Sequence, residues 1–202
     1  MKHGLILDFG GVVTTDFYGA LEGFCLREGM EADTIRHLLR DTAEGSQALA
    51  DVETGRITQR DYETILAKLL DVDAEGLLGR VLADLRPCEP VLALVDRSRA
   101  AGIRVAVLSN SWGTGDYDPY DGYDLDNRFD AVVISDQVGL HKPDPAVYHL
   151  TAQQLDVPPA DCVFVDDTQH NLPPAAALGM TTVYFTDPAT GVADITEALG
   201  MS

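Results

Sequence analysis

A doubly wound α/β sheet with a small all-helical insert is the fold the sequence predicts, and three observations predict it. Short apolar runs recur along the chain, each ending at a polar or glycine-containing loop. Helical patterns separate them. Between Phe17 and about Arg86 the strand pattern disappears and only amphipathic helical stretches remain. Apolar or β-branched runs of about four to eight residues have the character of parallel strands buried on both faces. Strand-helix alternation then covers both sides of the sheet with helices.

The elements follow in order. Gly4 to Leu7 is the first strand and ends at Asp8. Arg104 to Leu108 precedes Ser109, Ala131 to Ile134 precedes Ser135, Cys162 to Val165 precedes Asp166, and Thr182 to Phe185 is a fifth strand. Pro90 to Ala101 carries Val91, Leu92, Leu94 and Val95 at helical spacing and stops at Gly102. Pro145 to Leu155 places Val147, Leu150, Thr151 and Leu155 on roughly one face, with Asp144 as N-cap and Pro145 in the first turn. Leu172 to Leu178 is a short alanine-rich helix closed by Gly179. In the insert, Ile35 to Asp41 follows Asp33 as an N-cap, and Gln59 to Leu70 follows Thr58, with Asp61 completing a capping box. The expected division is a Rossmann-like core of residues 1–16 and 87–202 and a helical cap of residues 17–86.

The chain has 202 residues, which suits a core domain plus a small insert. Its 33 acidic against 14 basic side chains give a net charge of -19, a surface that a nucleic-acid backbone or an anionic membrane repels. A small phosphate ligand stays compatible, because a metal or a few basic groups reverse the local potential. Cys25, Cys88 and Cys162 are too few and too far apart for a disulfide framework or a zinc site, and read as small buried hydrophobes. The apolar run before Asp8 is too short for a signal peptide or a membrane span, so a cytoplasmic protein is expected. Nothing in the sequence signals an oligomeric state.

Four elements carry chemistry-bearing residues, three of them at the carboxyl ends of strands, where ligand sites in such sheets lie. In Leu5-Ile6-Leu7-Asp8-Phe9-Gly10-Gly11, Asp8 reads either as a turn cap or as a carboxylate that attacks phosphorus and binds a metal, with the glycines admitting a ligand close to the backbone. Ser109 and Asn110, in Leu108-Ser109-Asn110-Ser111-Trp112, offer a hydroxyl and an amide to a phosphoryl oxygen, or are simply loop polarity. Lys142 stands before Pro143, where the fixed backbone suits a charge-balancing ammonium as well as a surface lysine. Asp166 and Asp167 are adjacent after an apolar strand, an arrangement that is costly unless they bind something. A hard divalent cation with oxygen ligands is the simplest partner, and Mg²⁺ is the first choice.

Together, in this order and spacing, the four elements resemble the motifs of the haloacid dehalogenase-like hydrolases over nearly the whole chain. The resemblance is closest to the branch containing the N-terminal phosphatase domain of soluble epoxide hydrolase, helped by Leu108-Ser109-Asn110-Ser111-Trp112 and by Thr54-Gly55-Arg56-Ile57-Thr58. It implies a Rossmann-like core under a helical cap and a Mg²⁺-dependent phosphatase acting on a small phosphorylated metabolite. Asp8 is then the nucleophile, Lys142 the charge-balancing ammonium, and Ser109, Asn110 and Lys142 the substrate-binding set. Asp8, Asp167 and the Gly10 carbonyl would hold the metal, with Asp166 behind them.

Two positions depart from the family pattern. Most phosphatases of the superfamily have a second Asp two residues after the nucleophile, which protonates the leaving group; here that residue is Gly10. Asn171 stands where many members have an Asp behind the metal. Gly10 keeps two alternatives open: a metal-independent haloacid dehalogenase, whose halide needs no proton, and a non-catalytic protein that binds a phosphometabolite. Asp16 and His170 are the first suspects for a replacement proton donor.

Three weaker signals remain. Residues 113–128 interleave five aspartates with Tyr117, Tyr120 and Tyr123, fail the EF-hand register, and read as a solvated acidic loop. Trp112 either lines the pocket or packs. Phe17, Tyr18 and Phe24 read as core aromatics more readily than as cleft residues.

Overall fold

The computed structural model describes residues 2–201. Five parallel strands form one sheet in the order β3-β2-β1-β4-β5. They are β1 Gly4–Leu7, β2 Arg104–Ser109, β3 Ala131–Ile134, β4 Cys162–Asp166 and β5 Thr181–Tyr184. The last begins one residue earlier than expected, and Phe185 continues the ladder by donating to the Asp166 carbonyl at 3.0 Å. β1 is central, with Leu7 opposite Val107 on one side and Val165 on the other.

Side-chain alternation sorts the strands between two cores. Leu5, Leu7, Val105, Val107, Val163 and Val165 face helices α6 (Glu89–Ala100) and α11 (Pro188–Leu199), meeting Val91, Leu94, Ile195 and Leu199. Ile6, Ala106, Leu108 and Phe164 face α9 (Pro145–Leu155) and α10 (Leu172–Ala177), meeting Val147, Leu155 and Ala175. Asp144 caps α9 as expected, accepting from the Ala146 N–H at 2.9 Å.

The segment after the first strand is helical throughout: α1 Phe17–Arg27, α2 Thr34–Asp41, α3 Ala43–Glu53, α4 Gln59–Leu70 and α5 Leu77–Val81. It has its own apolar cluster, which includes Phe24, Ile35, Val52, Tyr62, Leu66, Leu77 and Val81. The capping box at Thr58 is present, with the Asp61 N–H on Thr58 Oγ1 at 3.2 Å and the Thr58 N–H on Asp61 Oδ2 at 3.1 Å. Asp33 stands at the start of α2 but makes no side-chain cap bond. The chain enters and leaves the segment side by side: Thr15 N–H donates to Arg86 O at 2.8 Å and Cys88 N–H to Val13 O at 2.9 Å.

Trp112, just past β2, inserts into the helical cluster, edge-on to Phe17 at 5.4 Å and to Tyr62 at 5.5 Å between centroids. Such pairs contribute about 0.5–1.5 kcal/mol each beyond their burial. Trp112 therefore packs, tying the helical segment to the sheet. The three cysteines are free and buried, and no described helix is long and apolar enough to cross a membrane.

Candidate active site

The order of the sheet decides where a site can form. From β1 the chain builds outward through β2 and β3, then crosses to the opposite side for β4 and β5. The crevice at this switch lies between the carboxyl ends of β1 and β4. Asp8 follows β1, Asp166 ends β4, and Asp167 comes next. These three carboxylates each offer an oxygen within 4.8 Å of the others.

Asp8 is 8% exposed, and both its hydrogen-bond donors engage one oxygen. Oδ1 receives the Phe9 N–H at 2.6 Å and lies 2.6 Å from Lys142 Nζ. The Lys142 ammonium is buried and also donates to Asp166 Oδ2 at 2.8 Å. Asp166 is fully buried and saturated with donors: Thr168 N–H reaches Oδ1 at 2.7 Å, and Asn171 Nδ2 lies 3.1 Å from both oxygens. Asn171 thus serves as a neutral donor to Asp166. Asp167 is less enclosed and accepts from Thr168 Oγ1 at 3.1 Å. Thr168 Oγ1 is in turn 3.0 Å from the Tyr18 hydroxyl.

The electrostatics suit a cation. Burial, then the Asp166 and Asp167 charges, raise the Asp8 carboxyl well above its usual range, although Lys142 opposes this. Burial and Asp166 push Asp167 up to about 6. Burial alone would lower the Lys142 pKa, but the charges of Asp166 and Asp8 outweigh it and the pKa is raised. Three carboxylates face one ammonium, so two negative charges stay uncompensated. An all-oxygen donor set with excess negative charge suits a hard divalent cation.

The turn Phe9–Val13, closed by Thr14 N–H on Phe9 O at 2.9 Å, explains both glycines differently. Gly11 has φ 77°, and a β-carbon there would lie 2.1 Å from Asp167 Oδ2. Gly10 has φ -68° and ψ 126°, open to any residue, and its β-carbon would meet only the Phe17 ring, 3.3 Å away. Gly11→Ala should therefore displace Asp167 and lower turnover on the order of 10²-fold, the effect of misplacing a site group by about 1 Å. Gly10→Ala should change turnover little. Steady-state kinetics of the two variants check this, and equal losses would contradict it.

Ser109 ends β2 with 3% exposure, and its Oγ accepts from the Tyr120 hydroxyl at 2.9 Å. Asn110 clasps the Lys142 backbone: Lys142 N–H donates to Oδ1 at 2.8 Å and Nδ2 donates to Lys142 O at 3.0 Å. Its carboxamide thus holds the lysine loop.

Around this centre are residues that strand-end reasoning missed. The acidic loop is solvated through its aspartates, as expected, but its tyrosines turn inward. Its aspartates at 116, 118, 121, 124 and 126 are exposed, while Tyr120 and Tyr123 pack on Phe9 at 4.7 and 4.8 Å. Alternation of Asp and Tyr was the available signal. Phe17 and Tyr18 border the site, and Phe24 is core. Asp16 is exposed and caps α1 through the Gly19 N–H at 3.0 Å, and His170 is exposed. Glu53, from α3, accepts from His141 and Asn110.

Comparison with known proteins places the fold in a family. Mouse acyl-CoA dehydrogenase family member 10 is 35% identical over 106 residues, covering 52% of this chain and 10% of that protein. Pig bifunctional epoxide hydrolase 2 is 28% identical over 220 residues, covering 97% of this chain and 38% of that protein. The chain thus spans well under half the length of these relatives. A HAD-family enzyme of Bacteroides thetaiotaomicron, solved with magnesium and inorganic phosphate, shares the fold at a TM-score of 0.69 and 21% identity, over 91% of this chain and 94% of that one. The model of the haloacid dehalogenase-like hydrolases matches residues 3–179, which contain β1, all three clustered aspartates, Ser109 and Lys142. The parallel sheet, its switch-point carboxylates and this match together make the chain a member of the haloacid dehalogenase-like hydrolase family.

Proposed function

We propose that this hydrolase is a Mg²⁺-dependent phosphatase of a small phosphorylated metabolite, of the branch that includes the epoxide hydrolase phosphatase domain. The observation that carries this is the cluster of Asp8, Asp166 and Asp167 around one buried lysine. Residues 1–16 and 87–202 form the catalytic core in this reading, and residues 17–86 the cap, whose seating excludes water.

Asp8, Asp167 and the Gly10 carbonyl would hold the metal, with Asp166 orienting Lys142 from behind. Mg²⁺, when bound, supplies positive charge to the transferring phosphoryl group. Asp8 Oδ1 is fixed by Phe9 N–H and Lys142, so Oδ2 attacks phosphorus as the ester P–O bond breaks. Ser109, its oxygen held by Tyr120, points its own proton at a phosphoryl oxygen, and Lys142 balances the growing charge. The departing oxygen takes its proton from solvent; water then attacks the phosphorus of phospho-Asp8, the Oδ2–P bond breaks to restore the carboxylate, and phosphate leaves as the water's proton returns to solvent.

Gly10 also suits a halide leaving group, which needs no proton. A dehalogenase needs no metal, however, and the excess carboxylate charge disfavours it.

A screen of phosphorylated metabolites with Mg²⁺ tests the reading: EDTA should abolish turnover and Mg²⁺ restore it. Stability supplies a second sign. The raised pKa values of Asp8 and Asp167 mean that the folded, metal-free protein binds more protons than the unfolded chain, so stability falls as pH rises. For Asp167 the loss runs from its ordinary 3.8 up to about 6. Mg²⁺ should therefore raise Tm more at neutral pH than near pH 5, by calorimetry with and without EDTA. Full activity without metal, or an equal Mg²⁺ effect at both pH values, would contradict the assignment.

A further inference from the structure

Glu53 is the last residue of α3, in the helical segment, yet its side chain reaches the lysine loop of the core and is only 12% exposed. Its Oε2 lies 2.7 Å from His141 Nδ1 and accepts from Asn110 Nδ2 at 3.2 Å. The backbone just beyond fixes its approach. Gly55 has φ 67°, and a β-carbon there would lie 2.3 Å from the Asp136 carbonyl, so only glycine lets the two segments come this close. His141 and Asn110 both adjoin Lys142, one in sequence and one through its double clasp of the Lys142 backbone. A buried carboxylate is strongly unfavourable without donors, and here both donors belong to the other segment.

We propose that Glu53 is a positioning residue: carried by the helical cap, it locks His141 and Asn110 and so holds Lys142 against Asp8 only when the cap is seated. This rests on the reading of the centre as a phosphoryl-transfer site. Cap closure and catalytic competence are then one event, because lifting α3 removes the acceptor that orders the lysine loop.

The groups facing His141 are Glu53 on α3, Arg56 in the turn after it, and Asp144 at the start of α9. The bond to Glu53 raises the His141 pKa, burial lowers it, and the Glu53 and Asp144 charges raise it against Arg56. The pKa is raised overall, so the charge-assisted bond is complete below the ordinary histidine value of about 6.5 and is lost as pH rises through the raised one. Alkaline pH should loosen the lysine loop.

Peptide-resolved hydrogen exchange on the full chain tests this, comparing wild type, Glu53→Gln and His141→Phe at one pH near neutrality. Both variants should speed exchange of residues 139–144, including the Lys142 N–H, while β1 and β4 keep their protection. With p-nitrophenyl phosphate and Mg²⁺, kcat should fall about tenfold, as when groups that orient a site are removed, with KM nearly unchanged. Raising the pH should narrow the gap between Glu53→Gln and wild type. Unchanged exchange at 139–144 in Glu53→Gln would overturn the proposal. So would protection lost equally across β1 and β4, which marks a merely structural bridge. An inactive wild type would count against the phosphatase reading and leave the exchange result standing on its own.

Discussion

Asp8→Asn should leave a folded protein whose phosphatase turnover is lower by at least roughly 10³-fold, as expected when a covalent nucleophile is removed. The fold should not suffer. Asp8 sits among like charges and its ionised form is disfavoured there, so a neutral amide relieves repulsion. Lys142 keeps Asp166 as its partner at 2.8 Å. The metal-free variant should therefore melt at the wild-type temperature or above it, the usual signature of a site that trades stability for function. Retention of more than about a tenth of wild-type turnover, a contribution under ~1.4 kcal/mol, would remove Asp8 from the nucleophile's role.

The second large effect follows from Gly10. Without a carboxyl there, an alkoxide leaves without the usual acid, and general acid-base assistance is typically worth about 10² to 10⁴ in rate. Aryl, acyl or anomeric phosphates need that help least. kcat/KM for p-nitrophenyl phosphate or a sugar 1-phosphate should exceed that for glycerol phosphate by on the order of 10². Gly10→Asp should raise the glycerol phosphate value. The backbone permits it, with φ -68° and ψ 126°, and the Phe17 ring must yield only slightly to a β-carbon 3.3 Å away. Equal, high values for both substrate types in the wild type would mean that another group supplies the proton. Tyr18 would be tested first, since its hydroxyl reaches Thr168 beside Asp167.

Much of this was legible in the sequence because strand ends are local signals. Four apolar runs ending at Asp8, Ser109, Ser135 and Asp166 announced the sheet, and two of those ends, Asp8 and Asp166, meet at its switch point. Gln59–Leu70 was readable to the residue, since the Thr58 capping box and its apolar periodicity agree. Long-range pairings were not readable. Nothing local tells that Glu53 meets His141, or that Tyr120 holds Ser109, because these contacts depend on how the helical segment and the acidic loop fold back over the sheet. The conformations of Gly10 and Gly11 were equally hidden: adjacent and identical in sequence, one has an ordinary backbone conformation and the other a positive φ closed over by Asp167.

Acid-quench trapping of the enzyme during turnover tests the nucleophile most directly. Gly10 also deprives the second half-reaction of its usual base, so phospho-Asp8 should accumulate and give a burst of alcohol release. Mass spectrometry of the quenched, digested protein should then find one phosphoryl group on the peptide containing Asp8, dependent on Mg²⁺ and absent from Asp8→Asn. Turnover with no phosphoryl group on that peptide, or with one on a different residue, would contradict the assignment of Asp8.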